Sequence, residues 1–82
     1  MPRETFDPFT LADRDQRRPY EDARSVAASG PVSRGAITIA MNRLGHDAKW
    51  RGLPRVLREL RAAGYVAYRP GAGWVATSKE PN

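Results

Sequence analysis

The chain has 82 residues, with 14 Lys or Arg against 9 Asp or Glu, one His and no Cys. That limits it to one small domain and removes disulfide frameworks and thiolate metal sites. It lacks an apolar run of signal-peptide length and the roughly 20 consecutive apolar residues of a membrane span, so a cytoplasmic chain with no membrane partner is expected. The net charge of +5 is unevenly spread. Residues 1–22 carry four arginines against six carboxylates, a balance of −2, and residues 23–82 carry ten cations against three carboxylates, a balance of +7. Eight of those ten cations are arginines, whose planar fork suits phosphate or guanine better than a lysine point charge does. A GC-rich coding bias would produce the same richness, so its placement matters more than its amount.

Residues 1–18 alternate acids and arginines around Pro2 and Pro8 without a sustained period. They read as a flexible arm with a turn of helix near Leu11 to Gln16. Phe6, Phe9 and Leu11 are its apolar members, available to dock on the domain or on a partner. Pro19 suits a first helical position, with Glu21 and Asp22 where the helix dipole favours anions. A first helix from Pro19 to Ser29 follows, with Tyr20, Ala23, Val26 and Ala27 inward, and it stops at Gly30-Pro31.

Val32 and Ser33 fit either a very short strand or a helix cap. Ile37, Ala40, Met41 and Leu44 recur at helical spacing and predict a second helix ending at Gly45, in competition with a strand suggested by the alternation of Ile37, Ile39 and Met41. The third helix begins between Ala48 and Gly52, because Pro54 is tolerated only in a first turn, and it ends at Gly64. Tyr65–Arg69 and Trp74–Thr77 are strand-like runs joined by Pro70-Gly71-Ala72-Gly73, a hairpin that packs through Tyr65, Val66, Val75 and one face of Trp74. Residues 78–82 read as a short frayed tail.

The segment Leu53 to Trp74 is the most informative. At roughly 100° per residue, Leu53, Val56, Leu57, Leu60 and Gly64 share one stripe, while Arg51, Arg55, Arg58 and Ala62 fall about 180° away. One face is suited to burial and the other to phosphates. Catalysis finds little support: a nucleophile needs a base beside it and that base an orienting partner, and one His with no Cys supplies no such set. No metal site or cofactor is expected, since His46 has no second His or Cys to join it, and Gly71 and Gly73 belong to a hairpin rather than to a phosphate-cradling loop.

The strings Met41-Asn42-Arg43-Leu44-Gly45 and Val56-Leu57-Arg58-Glu59-Leu60-Arg61-Ala62-Ala63-Gly64-Tyr65-Val66, followed by the hairpin, resemble a winged helix-turn-helix domain over residues 19–77. Arg69-Pro70-Gly71-Ala72-Gly73-Trp74-Val75-Ala76 is similar to the wing of GntR-type regulators. The resemblance implies an α+β, mostly helical fold of three helices with a C-terminal two-stranded wing. It also implies sequence-specific binding of double-stranded DNA by a small bacterial, phage or plasmid regulator of transcription or replication, nucleoid-associated. The chain departs from GntR-type regulators in showing no effector domain after the wing, so no small-molecule effector is expected. The third helix would enter the major groove and the wing would lie on backbone or minor groove.

Residue chemistry agrees. Lys49, Arg51 and Arg55 lie near the start of the third helix, where an Arg can bond guanine O6 and N7 together. Arg58, a turn later, suits a phosphate, as do Arg34 and Arg43 beside the second helix and Arg69 and Gly71 on the wing. Trp50 and Tyr68 fit either packing or contact, Trp74 fits packing, and His46 fits a phosphate contact or none. The alternative is a winged-helix protein-interaction module whose arginines grip an acidic partner. Homodimerisation is left open, with Ile39 and the Phe6/Phe9 arm as the exposed apolar candidates. A further reading folds the acidic residues 1–22 over the basic face as a nucleic-acid mimic.

Overall fold

A computed structural model describes residues 6–46 and 52–80. A 3-10 turn at Pro8–Thr10 precedes α1 (Arg14–Ala28), α2 (Arg34–Arg43), α3 (Leu53–Ala62), β1 (Val66–Arg69) and β2 (Gly73–Ala76). The layout is α+β and mostly helical, three helices followed by an antiparallel hairpin, as the sequence predicts.

The first helix departs most from expectation. It starts at Arg14, and Pro19 lies inside it rather than at its first position. Asp13 is the cap, its carboxylate accepting the Asp15 N–H at 2.9 Å, a favoured N-cap role. Pro19 leaves the carbonyl of Asp15, an exposed residue in the first turn, without an intrahelical N–H partner. Glu21 and Asp22 are therefore mid-helix residues. Residues 6–11, assigned to a flexible arm, run against the domain instead: Pro8 is buried, Phe9 packs edge-to-face on Tyr65 with ring centroids 4.6 Å apart, and Tyr65 Oη donates to Asp7 Oδ2 at 2.8 Å. Arg17 adds a bond from Nη1 to the Leu11 carbonyl at 3.2 Å.

Ala23 and Ala27, one turn apart on α1, are buried and small enough to let neighbours approach closely. α1 accordingly packs against α2, α3 and β2. Ile37 and Met41 of α2 and Leu53, Val56, Leu57 and Leu60 of α3 complete the core with Ala63, Tyr65 and Val66. Leu44, expected inward, is exposed because α2 has already ended there.

Both α2 and α3 stop in the same way, with a positive-φ glycine after the cap. Gly45 has φ +98° and Gly64 φ +90°, and the following residues, His46 and Tyr65, donate back to Met41 and Leu60. This is the Schellman arrangement, in which left-handed backbone satisfies the last carbonyls. At the C-terminal side Lys79, expected in a frayed tail, donates through Nζ to the Ala63 carbonyl at 2.6 Å and lies 4.6 Å from the Tyr65 ring centre. Arg24 Nη2 in turn donates to the Lys79 carbonyl at 2.8 Å.

In the hairpin Val66 faces Ala76, Ala67 faces Val75, Tyr68 faces Trp74 and Arg69 faces Gly73. Alternation of the pleat puts Val66, Tyr68, Trp74 and Ala76 on one face. That face meets the core through Val66, Trp74 and Ala76, so Val75, expected to pack inward, lies on the other. Val32 and Ser33 take both predicted roles. Val32 forms a two-way backbone bridge with Trp74, N–H to O at 3.0 Å and O to N–H at 2.7 Å, while Ser33 Oγ caps α2 by accepting the Ala36 N–H at 3.1 Å.

The bridge requires Gly73. Its φ is +120°, and a Cβ there would overlap the Val32 carbonyl. Gly71 at the tip has φ +80° but open space around it. Gly73→Ala should therefore lower stability by about 3 kcal/mol or more, adding steric overlap to backbone strain. Gly71→Ala should cost only about 1 kcal/mol. Urea unfolding of the two variants separates the effects, and equal losses would contradict the backbone bridge as the cause.

Candidate nucleic-acid interface

The cations of this chain divide by what they touch. On α1, Arg17, Arg18 and Arg24 each donate to a backbone carbonyl, Arg18 Nη2 reaching Leu44 at 2.6 Å. They fasten chain segments to the helix. Arg34 and Arg43 on α2, Arg58 and Arg61 on α3, and Arg69 at the end of β1 are all exposed. Through their side chains these five make no hydrogen bond or ion pair among the described residues. Lys49, Arg51 and Trp50 lie outside the described residues.

Carboxylates are distributed in the opposite sense. Residues 23–46 contain none, and residues 52–79 contain only Glu59. Glu59 is engaged from two sides: Arg55 Nε donates to Oε1 at 3.0 Å, and the Tyr20 hydroxyl donates to Oε2. Burial pulls the Glu59 carboxyl upward, but these bonds and the positive fields of Arg55 and Arg58 hold it below its ordinary value. Burial and the bond to Glu59 push Tyr20 up to about 12. Tyr65 is also raised, by burial and by its bond to Asp7.

Arg55 therefore differs from the other described arginines predicted to meet DNA. Its side chain is 74% exposed yet pinned at one end to Glu59. It lines a groove with Phe6, Pro19 and Tyr20, on the side of α3 next to the start of α1. Arg34 lines another groove, open and about 430 Å³, together with Ser33, Tyr68, Gly71 and Trp74. The structure thus brings Arg34 to the hairpin tip beside Gly71 and separates that groove from the one holding Arg55.

Two sequence expectations change. His46, considered for phosphate contact, lies 2.8 Å from Asp22 Oδ2 with its side chain only 12% exposed, so it ties the end of α2 to α1. Three of the acids of residues 1–22 are engaged away from the exposed arginines of α2, α3 and the hairpin. Asp7 is bonded to Tyr65 and Phe9, Asp13 caps α1, and Asp22 faces Arg18 and His46. The sequence reading also missed the groove that joins Tyr68 and Trp74 to Arg34. Its signal was the hairpin register, which sets those two aromatics opposite each other.

Among the described residues no group of three or more His, Cys, Asp or Glu is placed to hold a metal ion, and no helix is long and apolar enough to cross a membrane. Comparison with known proteins gives no match among family models, curated proteins or solved structures.

The Tyr20–Glu59 bond predicts how stability follows pH. Glu59, depressed in the fold, contributes stability above its ordinary 4.5 and loses it as pH falls through the folded value. Tyr20, raised in the fold, contributes below pH 10 and loses that contribution as pH rises toward about 12. Urea midpoints should decline on both sides of a central plateau. Tyr20→Phe should lower the plateau by about 1 kcal/mol and shrink the alkaline decline without abolishing it, because Tyr65 titrates there too. An unaltered alkaline limb would refute the assignment.

Proposed function

We propose that the chain binds double-stranded DNA in a sequence-specific manner, as a small bacterial, phage or plasmid regulator of transcription or replication. In this reading α3 enters the major groove and the hairpin lies on the backbone or the adjacent minor groove. The observation that carries it is the charge on α2, α3 and the hairpin: exposed Arg34, Arg43, Arg58, Arg61 and Arg69, without side-chain partners among the described residues, beside a single carboxylate already occupied by Tyr20 and Arg55. Such a surface gains by replacing the counterions of a phosphate backbone. Three helices with a hairpin, bridged through Val32, also fit the winged helix-turn-helix resemblance.

Roles follow from position. Arg58 and Arg43 take phosphates on either side of the groove, and Arg34, Arg69 and Gly71 meet the backbone near the tip. Arg55 reaches a base edge only by leaving Glu59. An i,i+4 pair of this kind is worth a few tenths of a kcal/mol, and a bidentate pair with guanine gives about 1–3 kcal/mol of discrimination against a wrong base. So weak a pair parks Arg55 without withholding it. The role is binding rather than catalysis, and it calls for no cofactor.

Fluorescence anisotropy with a randomised duplex library is the test. Affinity should fall steeply between about 50 and 200 mM salt, and Arg58→Ala and Arg69→Ala should each reduce the salt slope by about 1. Absence of binding up to roughly 10 µM protein at low salt would overturn the proposal. Retention of an acidic protein partner under those conditions would favour the protein-interaction module instead.

A further inference from the structure

The groove between the hairpin tip and the start of α2 has a chemistry that a paired duplex does not use. Tyr68 stands 46% exposed in its wall. Its ring meets Trp74 edge-to-face, centroids 5.2 Å apart at 61°, a pairing that consumes one ring face of the two and leaves others for a flat ligand. Arg34, with no protein partner among the described residues, lines the groove at the α2 end, and Gly71 and Gly73 line it without side chains. Within a duplex the faces of a base are covered by its neighbours, so an aromatic wall is of use only to a base out of the stack.

We infer that this groove receives an unpaired nucleotide of a DNA strand, its base stacked on Tyr68 beside Trp74 and its phosphate on Arg34. The inference rests on the DNA-binding reading and deepens it: the preferred target is a duplex that carries a single-stranded stretch, such as an opened or tailed end. Charge selects the occupant. A proline-rich peptide would also lie on aromatic walls, but it gains nothing from Arg34. A phosphodiester strand does. The groove volume of about 430 Å³ and the two glycines among its lining residues let the strand backbone come close.

The test compares a blunt duplex with the same duplex bearing a short single-stranded tail that contains 2-aminopurine. The full chain should bind the tailed form about tenfold more tightly, the gain expected of one stacked base, and should change the fluorescence of the 2-aminopurine. Tyr68→Ala should bring the tailed affinity down to the blunt value, while Tyr68→Phe, which keeps the ring, should retain the gain. Circular dichroism checks that each variant is folded. Equal affinity of wild type for both forms, with unchanged fluorescence, overturns the groove assignment and leaves duplex binding standing. Binding of the tailed form alone overturns duplex recognition and supports the groove. No binding of either overturns both. A proline-rich peptide that binds wild type and not Tyr68→Ala, with no gain from the tail, overturns the assignment in favour of a peptide groove.

Discussion

The groove that joins Arg34 to the hairpin tip depends on how closely the hairpin approaches the segment before α2. A two-stranded hairpin has little stability of its own, and here it is fixed by two backbone bonds between Val32 and Trp74. Those bonds need the chain at Gly73 to pass where any Cβ would strike the Val32 carbonyl. One missing side chain thus decides the position of the tip relative to Ser33 and Arg34. The groove follows from that approach, and so does the alignment of Arg34 with Gly71.

A second constraint governs charge. The chain separates arginines that hold the fold from arginines that face water, and α1 takes nearly all of the first kind. Its guanidinium groups reach the ends of other segments, at Leu11, Leu44 and Lys79, where unsatisfied carbonyls are available. This frees the opposite elements from internal pairing. Glu59 is the exception, and it serves packing: through Tyr20 it ties α3 to α1, while its negative charge is met by Arg55.

Legibility from sequence followed the strength of local rules. Helical spacing of Ile37 with Met41, and of Leu53, Val56, Leu57 and Leu60, is dictated by burial of one face, and those residues do form the core. Glycines at 45 and 64 mark helix ends because only a left-handed residue closes a Schellman turn cheaply. Pro19 is a strong local signal for a first helical position, but α1 starts at Arg14 under the Asp13 cap, and the segment before it is held by Phe9 on Tyr65, a contact between residues far apart in the chain. Val75 was misassigned by counting hydrophobicity without the pleat; with Gly73 inside β2, the register turns Trp74 and Ala76 to the core instead.

The candidate interface was legible in part for the same reason. That Arg55 and Arg58 face away from the apolar stripe is a matter of helical angle, readable from spacing alone. That Glu59 can hold Arg55 is readable too, as an i,i+4 pair on one helix, whereas the bond from Tyr20 to Glu59 joins two helices and appears only once α1 lies against α3. The groove at Arg34 is still more dependent on tertiary structure, since it joins the residue after a cap to two aromatics more than thirty positions away. Residue type therefore suggests the class of ligand, a polyanion, while backbone approach at Gly73 decides which part of that ligand the aromatic side chains can meet.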